Sequence, residues 1–247
     1  MIDPDGCGDY YTQGGTWLGQ DKYTNDNKAY TASGVTKDKS GVVTGAENSN
    51  LLNISNSELH KQAAIVYGES SAYKSGKSEE LMKEMYAIAS VLQRNNEAYG
   101  VSNAGAGLYR SKSNEERNGT KMEFATGAVI NAVSGGYDYS NGATGWDGQD
   151  QAMFTEDNKK FRDKIGSRSI ELHKNTIGWS ISDADYSKWK SNVGKSFKAP
   201  QISFTPTGNG KFNKYYLPNT IRFKSTAVYG GTIFWKELKG KAVIKGK

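Results

Sequence analysis

Cysteine is almost missing from this chain of 247 residues: Cys7 is the only one. An internal disulfide is therefore impossible, and a zinc-type thiolate cluster is excluded. Histidine is nearly as scarce. His60 and His173 are too few for a multi-histidine site, so no metal is expected. No hydrophobic run reaches membrane-spanning length, and no membrane insertion is expected. The start, Met1-Ile2-Asp3-Pro4-Asp5-Gly6, lacks the charged-then-apolar layout of a signal peptide, so export would need another carrier. Only four prolines occur, against 29 glycines, 15 tyrosines and five tryptophans. That balance describes a soluble α+β protein rich in loops rather than a disordered chain.

What is present narrows the partner. The net charge of +6 and the isoelectric point near 9.1 favour an anionic one: nucleic acid, a membrane surface or the acidic bacterial wall. The basic residues are scattered except in the last third.

The chain centres on residues 57–70, which read as an amphipathic helix. Ser55 and Glu58 form a capping-box signature, Leu59, Ala63 and Val66 share one face, and Gly68 is expected to stop the helix. Glu69 follows, and on a helical wheel it falls between Ile65 and Val66. Apolar surroundings and the negative end of a helix dipole both disfavour a charged carboxyl there. Those are the requirements of a general acid. A surface Glu at a helix end is the competing reading.

Taken in order, residues 1–55 form a polar lead, a linker or an element packed on the core. Short strands are expected at Trp17-Leu18-Gly19 and Lys28-Ala29-Tyr30-Thr31, around the turn-prone Asn25-Asp26-Asn27. Residues 56–247 form the expected catalytic domain. A second helix runs over 78–96, with Leu81, Met85, Ile88 and Leu92 as its buried stripe. Residues 97–119 are expected to loop over a surface. A third helix starts at Thr120, with Glu123 completing a capping box and Ala125, Ala128, Val129, Ala132 and Val133 facing inward, and ends at Gly135-Gly136. Residues 137–150 are too rich in glycine for regular structure. A helix is expected over 156–165, and another around Trp189, capped by Ser182. Strands are expected at 201–205, 220–228 and 232–235, with a turn at Gly230-Gly231.

Two resemblances rest on short islands. Ile2-Asp3-Pro4-Asp5-Gly6 resembles the Asp-Pro-x-Gly motif that precedes the C-terminal toxin domains of Rhs/YD-repeat polymorphic toxins. It is also an ordinary turn sequence. Ala64-Ile65-Val66-Tyr67-Gly68-Glu69 is similar to the Val-Tyr-Gly-Glu element of spore-cortex-lytic (SleB-type) cell-wall hydrolases, whose Glu is the catalytic acid. Ile88-Ala89-Ser90-Val91-Leu92-Gln93-Arg94 is similar to that family's Ala-x-Val-Ile-Leu-Asn-Arg segment. Asp138-Tyr139-Ser140-Asn141-Gly142-Ala143 resembles its Asp-x-Thr-x-Gly-Ala turn, and Tyr229-Gly230-Gly231-Thr232-Ile233-Phe234-Trp235 its closing Gly-Gly-His-Val-Phe-Tyr strand. Departures are Gln93 for Asn, Thr232 for His, and Ser70 after the Glu. Residues 102–119 and 150–220 have no counterpart.

The resemblance implies a lysozyme-like helical core carrying Glu69, with a small antiparallel sheet formed mainly by the C-terminal third. It also implies muramidase or lytic-transglycosylase action on the glycan strands of peptidoglycan, with Glu69 as acid and then base and no cofactor. Asp147 is the candidate second carboxylate, although Asp147-Gly148 is also a turn dipeptide. Tyr67, Ser70, Tyr139, Trp146 and Gln149 are the candidate substrate-binding residues; aromatic faces suit pyranose rings, and equally suit core packing. Only one of Phe234 and Trp235, which alternate on a strand, can be core. The toxin resemblance implies contact-dependent secretion, action in the periplasm of a target bacterium, and a cognate immunity protein.

Three rivals stand beside this. A nuclease toxin fits the charge, but two distant histidines and scattered lysines argue against nucleic acid as partner; a carboxylate-and-lysine nuclease core stays open. A cysteine peptidase would need Cys7, flanked by Gly6 and Gly8, as its nucleophile. A non-enzymatic wall-binding module would leave Glu69 without a role.

Overall fold

The computed structural model describes residues 8–22, 27–73, 76–95, 104–147, 178–180, 182–193, 220–237 and 243–244. The start motif at residues 2–6, Cys7, the helix expected over 156–165, His173 and the strand expected over 201–205 lie outside the described residues. The architecture is mixed α+β, and the chain divides into two compact units, Met1–Tyr139 and Ser140–Lys247. No described helix is long and apolar enough to cross a membrane.

The first unit opens with strands β1 (Asp9–Tyr11), β2 (Trp17–Gln20), β3 (Lys28–Thr31) and β6 (Asn50–Ser55), in the sheet order β2-β1-β3-β6. The β1–β3 pair is parallel and the other pairs are antiparallel. A separate hairpin joins β4 (Gly34–Lys37) to β5 (Val43–Glu47). The lead therefore belongs to the same unit as the helices that follow it. Its two expected strands form, but β1 lies between them. Sheet is also not confined mainly to the C-terminal third: consecutive Ala29, Tyr30 and Thr31 are all buried, so both faces of β3 are covered, and Tyr10 stacks on Tyr30 at 5.2 Å.

Helix α1 (Asn56–Glu69) starts where expected. Its first three N–H groups each find an acceptor: Asn56 N–H donates to the Asn27 carbonyl (2.7 Å), Ser57 N–H to Asn27 Oδ1 (2.8 Å) and Glu58 N–H to Ser55 Oγ (3.2 Å). The helix does not stop at Gly68. It continues through Glu69 because Ser70 supplies the cap, its N–H donating to the Val66 carbonyl at 3.1 Å. A 3-10 turn follows at Ser71–Tyr73.

Helix α2 (Glu79–Asn95) buries the expected Leu81, Met85, Ile88 and Leu92. The stretch expected to loop holds two helices, α3 (Ala104–Arg110) and α4 (Asn114–Arg117). A capping box between Ser113 and Glu116 starts α4, and each helix sends one large side chain inward, Tyr109 and Arg117. Helix α5 (Lys121–Val133) is capped by Thr120. Glu123 turns instead to the Gly119 N–H at 2.6 Å. Ala125, Ala128 and Val129 are buried as expected, while Ala132 and Val133 are half-buried. Gly127 meets the β1–β2 loop: a Cβ there would lie 2.3 Å from the Gly14 carbonyl oxygen.

Among the described residues, the second unit is a largely antiparallel sheet with one packed helix. Strand β9 (Thr220–Tyr229) pairs with β10 (Thr232–Glu237) across the Gly230-Gly231 turn, and β10 pairs with β7 (Gly145–Asp147). Strand β11 (Val243–Ile244) adds antiparallel to β9, and β8 (Gly178–Ser180) adds parallel to it. Strand β7 falls in the stretch expected to be irregular. Its glycine is a packing requirement, since a Cβ on Gly145 would lie 2.4 Å from the Trp235 indole. Phe234 is buried and Trp235 half-buried. Helix α6 (Asp183–Val193) is capped by Ser182, whose hydroxyl accepts from Asp185 N–H at 3.1 Å. Trp189 anchors it, donating from Nε1 to the Gly231 carbonyl at 2.9 Å.

Candidate functional site

Glu69 occupies the last position of α1, half-buried, after the fully buried run Ala63-Ala64-Ile65-Val66. The chain just beyond it is held from three directions. The Ser70 hydroxyl donates to the Tyr67 carbonyl (2.9 Å) and accepts from Ala72 N–H (3.2 Å). Glu84 of α2, fully buried, accepts from Ser71 N–H (3.0 Å) and from the Ser71 hydroxyl (2.8 Å). Lys121 of α5 donates to the Ala72 carbonyl. Ser70 thus acts as the helix cap. Tyr67 is buried, its ring 6.2 Å from that of Tyr109, which makes it core.

The other expected site residues divide between the units. Tyr139 is half-buried in the first unit, edge-on to Tyr86 (5.7 Å) and Tyr137 (4.7 Å). Its neighbour Asp138 pairs with Arg94 of α2 at 2.8 Å, joining two of the sequence islands. Trp146, half-buried, and the backbone of Asp147 lie on β7 in the second unit, opposite Phe234 and Ile233. Asp147 is thus a strand residue rather than a turn residue. Gln149 and the Asp147 side chain lie outside the described residues. Within that unit, the Thr226 hydroxyl donates to the Ser140 carbonyl (2.7 Å), and Thr144 N–H to the Trp235 carbonyl (2.8 Å). These bonds tie residues 140–144 to the closing hairpin.

A second cluster sits at the other end of α1. Arg117 can only donate hydrogen bonds, and its Nη1 lies 3.2 Å from His60 Nδ1 and 2.7 Å from Asn114 Oδ1. Nδ1 must then be unprotonated, so neutral His60 carries its proton on Nε2 and donates to the Tyr11 oxygen at 3.0 Å. Tyr11 donates on to Asn56 Oδ1 (2.8 Å), and Asn56 donates to Asp9 Oδ2. Asn114 Nδ2 closes the ring on Asp9 Oδ1 at 3.3 Å, and Trp17 Nε1 reaches the same oxygen at 2.7 Å. Two neutral relays therefore connect a buried cation to a buried anion. Burial first, and the Arg117 charge second, hold His60 down at about 4. Burial and then Asp9 push the Tyr11 phenol well above its ordinary range.

Sequence reasoning missed this ring, whose hydrogen-bonded partners lie up to 105 positions apart. It also missed Glu84, although an acid three positions after Leu81 on the buried stripe of α2 is a readable signal. Among the described residues, no group of three or more His, Cys, Asp or Glu side chains is placed to hold a metal ion. Comparison with protein families, with characterised proteins and with solved structures finds no match.

Proposed function

We propose that this chain cleaves the glycan strands of peptidoglycan, with Glu69 as general acid and then general base. The observation that carries the reading is the seat of Glu69: a half-buried carboxyl on the last turn of a helix, behind an apolar run and ahead of a clamped turn. Such a seat favours the proton-bearing form, by desolvation and by the helix dipole. The acid protonates the leaving glycosidic oxygen as the sugar acquires oxocarbenium character. The substrate's N-acetyl group or a second carboxylate stabilises that centre. The same Glu69 then takes a proton from water or from the sugar's own hydroxyl.

The helices of the first unit act, on this reading, as a lysozyme-like core. The Arg94–Asp138 pair supports it by joining two islands of the cell-wall-hydrolase resemblance. Tyr139, in the same unit as Glu69, is the candidate sugar platform. The Rhs-like residues 2–6 support a reading of such a domain as part of a secreted antibacterial toxin, delivered to a competitor's periplasm and neutralised in the producer by an immunity protein. The test is clearance of purified peptidoglycan followed by mass spectrometry of the products. Reducing ends indicate hydrolysis and anhydro ends transglycosylation; intact strands, with degraded DNA in a parallel assay, refute the reading in favour of a nuclease.

A further inference from the structure

We infer that Glu84 is a positioning residue for Glu69. The inference rests on the reading of Glu69 as the acid, and adds to it a residue that does not touch the substrate. Glu84 is completely buried on α2, and both of its carboxyl oxygens face one residue, Ser71. A buried carboxyl is costly to leave unpaired, so its two bonds to Ser71 hold that residue firmly. The location gives the arrangement a use. Ser71 stands two residues past Glu69, at the exit of α1, and helix ends fray unless their last turn and the following chain are held.

Three clamps meet on three consecutive residues. Ser70 bridges the Tyr67 carbonyl and Ala72 N–H, Glu84 holds Ser71 from α2, and Lys121 holds the Ala72 carbonyl from α5. The last turn of α1 is thereby fixed to α2 and α5, and the Glu69 backbone with it. A general acid must stand within hydrogen-bond reach of one particular oxygen, and a displacement of about 1 Å costs on the order of a hundredfold in rate. Loosening residues 70–72 also lets water reach the Glu69 carboxyl and moves its titration towards that of a solvated glutamate.

The test compares wild type with Glu84→Gln and Ser71→Ala, each checked for folding by circular dichroism. Glu84→Gln is expected to lower kcat about tenfold or more while KM stays within about twofold, since the loss falls on the transition state. The basic limb of its pH profile shifts to lower pH. Ser71→Ala removes only the hydroxyl link and shows the same signature at smaller size; it decides the matter if Glu84→Gln does not fold. Variants that melt earlier but keep the wild-type kcat and pH profile overturn the inference and leave Glu84 a structural residue. If wild type leaves peptidoglycan intact, the functional reading fails separately. The Glu69 side-chain carboxyl is then titrated by carbon-13 NMR in wild type and Ser71→Ala: a midpoint displaced downwards in the variant upholds the positioning role, and coincident curves refute it.

Discussion

The two ends of α1 handle buried polarity in opposite ways. In the N-terminal half, Asn56 and His60 enter a closed ring in which every donor points away from Arg117 and towards Asp9. At the C-terminal end, Glu84 and Lys121 hold backbone and hydroxyl groups of the turn after the helix, while Glu69 stays half-exposed. The ring is self-satisfied and has no group left over for a substrate. The clamp fixes the chain on either side of a carboxyl without enclosing it. A closed polar network rigidifies a fold, because each member is costly to leave unpaired. Accessible polarity on a rigid support is what chemistry requires. The first end is read as structure, the second as site.

This contrast is sharpest in two substitutions. Glu69→Gln is expected to abolish peptidoglycan clearance, a loss of about 10²–10⁴-fold on general-acid grounds, with an unchanged melting curve. Arg117→Met is expected to do the reverse. It leaves His60, Asn114 and the Tyr109 carbonyl without their buried donor and should cost about 3 kcal/mol in urea unfolding, with activity per folded molecule preserved. If Arg117→Met removed activity without moving the unfolding midpoint, the assignment of the two ends would have to be exchanged.

The legible parts of the molecule are those whose cause is local. The stripe of α2 follows from its period, and the start of α1 from Ser55. Trp17–Gln20 and Lys28–Thr31 form strands, yet nothing local announces that the three-residue β1 pairs between them. Gly68 misled because glycine near a helix end usually marks its stop; here Ser70 provides the cap two residues later. Residues 104–117 look like a loop by composition, since Gly105, Gly107, Ser111 and Asn114 obscure the few inward positions. Tyr109 and Arg117 are held inside by Thr126 and His60, partners 17 and 57 positions away in the chain. Glu69 stood out through its place after an apolar face, whereas its supports depend on helices packing.

The ring can also be broken by acid, at a comparable cost. His60 is neutral in the fold and titrates at about 4, against 6.5 in the unfolded chain. Above pH 6.5 both states are uncharged there and the full stability is present. As pH falls from 6.5 towards 4 only the unfolded chain gains the proton, so stability drops, and below about 4 this loss levels off. A difference of about 2.5 units corresponds to roughly 3 kcal/mol. The groups facing the imidazole are Arg117, Tyr11 and Tyr109, with Asp9 reached through Asn56. Urea midpoints measured across this window should fall for wild type and stay nearly flat for His60→Gln. An equal slope in both would assign the acid sensitivity to other groups.

The smallest effects test the ring end at its edge, where α1 begins. Ser55 caps one N–H, whereas Asn27 receives two through its carbonyl and side chain and holds a left-handed φ of 56°. Ser55→Ala should cost about 1 kcal/mol, the usual loss of an N-cap. Asn27→Ala should cost about 2 kcal/mol, because alanine loses the side-chain acceptor and also pays for the left-handed backbone. Asn27→Gly separates these contributions: glycine takes that φ freely, so its cost should fall back to that of Ser55→Ala. Thermal melts of the three variants give the order directly. If Asn27→Ala proved milder than Ser55→Ala, the carbonyl of residue 27 alone would anchor the helix, and the side chain would be dispensable.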